Sequence, residues 1–137
     1  MHPILKNVLA IVAGLVIGAV VNMSIVMLSG SIIPPPEGAD VTTTEGLRAS
    51  IHLFKPINFL MPFLAHAIGT LVGAFVAAKF AANNKMIIAL AIAVFFLAGG
   101  VSMVFMVPSP MWFNVIDLVG AYLPMGYLSG KLCTSKR

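Results

Sequence analysis

Residues 7–33 form an apolar run without one charged side chain, bounded by Lys6 on one side and by Pro34, Pro35 and Pro36 on the other. A helix rises about 1.5 Å per residue, so a run of this length outreaches the roughly 30 Å of hydrocarbon in a bilayer. Three further runs follow: residues 57–78, closed by Lys79, then residues 86–107, then residues 111–130. Asn83, Asn84 and Lys85 mark a short turn between the second and third. Pro108 and Pro110 separate the third from the fourth, because proline lacks a backbone donor and restricts the residue before it. Backbone groups in lipid must be satisfied within the segment, which leaves the helix as the form for each run. The expectation is an all-α membrane protein with four transmembrane helices in a single domain, residues 1–137. The first run is too long for a signal-peptide core and lacks a cleavage pattern, so it reads as a retained span.

Composition agrees. Only 9% of the residues are charged and 60% are hydrophobic, with a mean hydropathy of +1.05, against about 25% charged in ordinary soluble domains. The net charge of +4 does not point to nucleic acid, because no basic run or stripe interleaved with aromatics is present. Cys133 is the only cysteine, which removes disulfide frameworks, thiol-pair redox chemistry and cysteine metal cages. It reads as an inert or acylated terminal thiol. No phosphate-binding glycine loop, metalloprotease helix or nucleophile elbow occurs, and no internal repeat marks an inverted-repeat transporter. The sequence therefore nominates no catalytic residue, no metal and no cofactor.

The basic residues orient the bundle. With both termini inside, Lys6, Lys79, Lys85, Lys131, Lys136 and Arg137 are cytoplasmic, and only Arg48 and Lys55 lie outside with Glu37, Asp40 and Glu45. By the positive-inside rule the expected topology is N-in, C-in. The outer loop starts stiffly on its three prolines. Thr42 and Glu45 then have capping-box spacing, and Leu47, Ile51 and Phe54 fall on one face. That pattern predicts a short amphipathic helix lying at the membrane interface.

An ionisable side chain near the bilayer centre costs about 2.5–3.5 kcal/mol on insertion scales and so usually faces the bundle interior. Two spans hold one each, His66 and Asp117. Measured from the outer helix ends at 1.5 Å per residue, His66 lies about 13 Å deep, Asp117 about 9 Å, Asn22 about 16 Å and Gly99 about 12 Å. This predicts a polar layer of Asn22, His66, Thr70, Asn114 and Asp117, with a direct or water-bridged His66–Asp117 pair. Small residues let helices approach closely. Gly14 and Gly18 in the first span, Gly69 and Gly73 in the second, and the Gly99–Gly100 waist of the third are the expected packing positions. Gly126 and Gly130 lie on the side of the fourth span away from Asp117, which suggests packing within the bundle or, equally, self-association or another membrane-protein partner. Trp112 reads as an interfacial anchor.

The stretches Ser31-Ile32-Ile33-Pro34-Pro35-Pro36-Glu37-Gly38, His66-Ala67-Ile68-Gly69-Thr70-Leu71-Val72-Gly73-Ala74 and Ala121-Tyr122-Leu123-Pro124-Met125-Gly126 resemble small four-helix bacterial membrane proteins. The resemblance implies a bacterial inner membrane and brings no activity with it. Small multidrug transporters share the helix count but rely on a first-span glutamate, where this chain has Asn22. Glutathione-using membrane enzymes carry charged helix motifs missing here, and disulfide-forming ones need paired cysteines. Three expectations follow in order. The first is an accessory or structural protein acting through helix association, with lipid and a protein as its partners. The second is a small proton-coupled transporter or channel using the His/Asp layer. The third is a membrane enzyme acting on lipid, for which no nucleophile–base pair stands out.

Overall fold

The computed structural model describes residues 1–135; Lys136 and Arg137, which entered the charge count above, lie outside them. The described residues are all-helical without strands. α1 (Pro3–Ile32) begins earlier than the charge boundary suggests, because Pro3 is preset for the first turn and His2 Nδ1 accepts from the Ile4 amide at 3.2 Å. Its 30 residues reach about 45 Å, longer than the hydrocarbon core. After the prolines come α2 (Thr44–Ser50) and two 3₁₀ turns (Ile51–Leu53 and Pro56–Phe59). α3 (Leu60–Phe80), α4 (Lys85–Met106), α5 (Met111–Gly120) and α6 (Leu123–Thr134) follow.

Three helices are long and apolar enough to cross a membrane: Pro3–Ile32, Pro56–Phe80 (α3 with the turn before it) and Lys85–Met106. The fourth apolar run is interrupted. Pro124 has no amide to offer and its ring crowds the carbonyl four residues back, that of Gly120. The backbone leaves regular helix there, with Tyr122 at φ −118° and ψ −75°. The resulting pieces, of 10 and 12 residues, are each too short to span alone.

α3 is the hub, packed against α1, α4 and α6, whereas α1 leans on α3 and barely meets α4. The α1–α3 seam is antiparallel and built on glycine. A methyl group on Gly14 would lie 2.5 Å from the Gly73 carbonyl oxygen, and one on Gly18 would lie 2.9 Å from that of Gly69. Toward the turn at residues 83–85, Ala10, Ala74, Ala77, Ala78, Ala81, Ile88, Ala89 and Ile92 pack into an apolar core. Asn7 closes the bottom, donating to Asn83 Oδ1 (2.9 Å) and accepting from the Ala82 amide (2.8 Å). Asn84 turns the chain in the left-handed region, which its short polar side chain tolerates. Lys85 Nζ then donates to the carbonyls of Ala78, Lys79 and Ala81, satisfying the last turn of α3.

Two packing expectations have different outcomes. Gly126 and Gly130 are buried against α4, where a methyl on Gly126 would meet Ala93 Cβ at 2.5 Å and one on Gly130 would run into the Met86 sulfur. Of the two readings for this face, packing within the chain is the one seen, and self-association loses these two glycines. Gly99, by contrast, is not a packing residue: a methyl there meets nothing within 4 Å, and the residue is exposed.

The outer loop folds back onto the bundle. Leu47, Ile51 and Phe54 meet Phe59, Val107 and Phe113, with Phe59 and Phe113 rings 4.7 Å apart. Arg48 Nε donates to the Met106 carbonyl at 2.8 Å, pinning α2 to the end of α4. The capping threonine is Thr43, which accepts from the Gly46 amide, not Thr42. Thr42 is already engaged, its hydroxyl (2.6 Å) and amide (3.0 Å) both donating to Asp40 Oδ1. Those two bonds, the hydroxyl's first, hold the Asp40 carboxyl below the ordinary aspartate range.

Candidate functional site: a His–Asp–Tyr cluster between two cavities

His66 sits two turns into α3, at the edge of the face that carries Gly69 and Gly73, and Asp117 projects from α5 just above the helix break. His66 Nδ1 and Asp117 Oδ1 are 2.8 Å apart. With Asp117 ionised its carboxylate only accepts; Nδ1 then carries the proton of this bond and Nε2 is left free. Asp117 is 5% exposed, whereas a quarter of the His66 side-chain surface remains open. A buried carboxylate in an apolar bundle is tolerated when such a partner accompanies it.

A third member was not singled out from the sequence. The Tyr122 hydroxyl donates to Asp117 Oδ2 at 3.4 Å, and its ring stacks on His66 with centroids 5.8 Å apart. Positions five apart point about 140° apart on a regular helix, so Tyr122 could not reach Asp117 without the Pro124 break. Gly100 makes room for it: a methyl there would stand 2.6 Å from the Tyr122 oxygen. The sequence signal available was a buried-type tyrosine two residues before a proline, since buried tyrosines usually find a partner for the hydroxyl.

The remaining layer residues divide. The glycine register carries Asn22 to the level of His66, where a methyl on Gly69 would already touch Asn22 Cβ. Its Oδ1 is buried and has no hydrogen-bond partner. Asn22, Thr70 and His66 share the wall of a cavity of about 200 Å³ between α1, α3 and α4, which Phe96, Gly99 and Tyr122 complete. Asn114 lies apart from that group, donating to the Ser109 carbonyl at 3.3 Å. It lines a second cavity of about 210 Å³, roofed by Leu47, Ile51 and Phe54 and floored by His66 and Asp117. His66 thus stands between two spaces, and alanines pack the end of the bundle beyond it. Among the described residues no three His, Cys, Asp or Glu side chains converge as a metal site.

The fold and site define an all-helical protein with membrane-length helices and a buried His–Asp–Tyr cluster. Comparison with protein-family models, curated proteins and solved structures finds no match to this chain.

Proposed function

We propose that this is a small four-span carrier or channel of the bacterial inner membrane whose outer-half site, His66 with Asp117 and Tyr122, binds a solute in exchange for a proton. The carrying observation is that His66, held through Nδ1 by Asp117, borders both cavities. Histidine is the side-chain type whose ordinary titration falls within pH 5–8, and a carboxylate-oriented ring leaves its second nitrogen for exchange. α5 and α6 together supply the fourth crossing, N-in and C-in, with the Leu47–Ile51–Phe54 segment resting at the outer interface as a cap. Both cavities lie on the side of the Leu47–Ile51–Phe54 segment, the outer side in this topology, as in one state of an alternating-access cycle. The competing reading, an accessory protein acting through a small-residue face, has lost Gly126 and Gly130 to internal packing.

The test is the imidazole of His66, followed by nitrogen NMR in full-length, histidine-labelled protein in phosphatidylcholine nanodiscs. His66 should take up a proton reversibly on acidification, and Asp117→Asn should alter that response. A ring that neither titrates nor exchanges its protons is a structural hydrogen-bond partner, and the proposal fails.

A further inference from the structure

The cavity between α1, α3 and α4 has a side opening. α1 and α4 scarcely touch, and the rim between them is formed by exposed small residues, Ala19 and Gly99. Behind this rim stand the partnerless Asn22 Oδ1 and the edge of His66, beside the rings of Phe96 and Tyr122. With Nδ1 committed to Asp117, a neutral His66 presents Nε2 as a second acceptor, and Nε2 has no partner among the described residues. Asn22 Oδ1, buried without a donor, is left with its desolvation uncompensated. The charges point the same way. Neutral His66 leaves an ionised Asp117 uncompensated, and among the described residues the other titratable group against the pair is the Tyr122 hydroxyl. Neither cavity receives an ionisable side chain from α1, α4 or the cap, and Arg48 is bound to the Met106 carbonyl.

Resting on the carrier reading, we infer that this cavity takes a protonated amine entering sideways from the bilayer. Its ammonium donates to Asn22 Oδ1 and His66 Nε2, and its apolar body lies against Phe96. A cation in the cavity and a proton on His66 satisfy the same missing charge, so they exclude each other. Protonation also turns Nε2 into a donor and removes one of the two acceptors. An aromatic ring face adds attraction for the cation. An apolar cavity of about 150 Å³ accepts benzene, so about 200 Å³ suits a benzylammonium-sized ion. The ammonium of an ethanolamine lipid headgroup offers the same chemistry.

Full-length protein in phosphatidylcholine nanodiscs is titrated with benzylammonium, benzyl alcohol and benzoate while the His66 nitrogen signals are recorded. Benzylammonium alone should shift them, with affinity falling about tenfold per pH unit once His66 is protonated, the slope of one-for-one competition. Gly99→Leu, whose side chain meets no protein atom near its Cβ, should close the opening and abolish the shift. Gly30→Leu, equally unobstructed, should leave it intact. Asn22→Leu should weaken binding by about tenfold, the worth of one lost hydrogen bond to a charged donor. Nanodiscs containing phosphatidylethanolamine and no probe report the lipid source: a His66 shift abolished by Gly99→Leu assigns the amine to the headgroup, and its absence assigns it to a free amine. Equal binding of the alcohol, or binding of benzoate instead, overturns the cation class while the carrier reading stands. No shift with any probe or lipid, in a protein whose His66 still titrates, overturns the inference alone. No shift with His66 unresponsive to pH overturns both.

Discussion

Asp117 makes two hydrogen bonds in a bundle that is otherwise almost wholly apolar around it, and each partner owes its place to a different helix. Removing one member of a buried charged pair strands the other, so single losses cost more than their share of the joint loss. Unfolding of His66→Gln, Asp117→Asn and the double variant in mixed micelles should give a coupling of about 1 kcal/mol or more; additive costs would mean that the contact contributes nothing. Gly100 is tied to the same cluster through the Tyr122 ring. Gly100→Ala should destabilise by about 1–3 kcal/mol as the methyl forces the phenol aside. In a Tyr122→Phe background the penalty should shrink, because the nearest atom is gone while the ring carbons, from 2.8 Å outward, stay.

Between elements, glycine positions separate into those that carry a seam and those that do not. A methyl on Gly73 would meet the Gly14 carbonyl at 2.7 Å and the Gly18 Cα at 3.0 Å, both backbone atoms that cannot rotate away. Gly73→Ala should therefore pry α1 from α3, whereas Gly30→Ala, with open space around it, should be neutral or gain up to about 1 kcal/mol from helix propensity. Thermal unfolding of the pair in one detergent checks the contrast. The outer loop depends on charge instead. The Asp40 carboxyl is held low by its two bonds from Thr42, so its contribution to loop order is complete above the unfolded-chain value near pH 4 and is lost as pH falls through the lower folded value. Amide exchange at Thr42, corrected for its intrinsic pH dependence, should accelerate on acidification below about pH 4, and Asp40→Ala should remove that dependence.

For the molecule as a whole, the proposed topology makes a direct demand. Reporter fusions at both termini should be active on the cytoplasmic side, and one inserted after Gly38 should be active outside. A C-terminus on the outer side would mean that α5 and α6 do not complete a fourth crossing. The two ends of the bundle differ: alanines pack the end at residues 83–85, and the His66–Asp117–Tyr122 cluster stands at the other beside Gly69, Gly100 and the break before Pro124.

Much of this was legible in the chain. Run length and hydropathy impose membrane-length helices because lipid leaves the backbone no other way to satisfy itself, and Pro108 and Pro110 end α4 where proline must. Depth counting placed His66 and Asp117 near one level, since helical rise is constant. Other features depended on three dimensions. The break at Pro124 turned Tyr122 onto Asp117. Gly126 and Gly130 met α4, where periodicity had left packing within the bundle and self-association equal. Thr42 lost the cap to Thr43 because Asp40 had bound it. Gly99, equivalent to Gly100 in sequence, was left at an open rim because α1 follows α3 and not α4. Periodicity assigns a residue to a face of an ideal helix; which neighbour that face meets is decided by kinks and by the competition among helices for the closest packing.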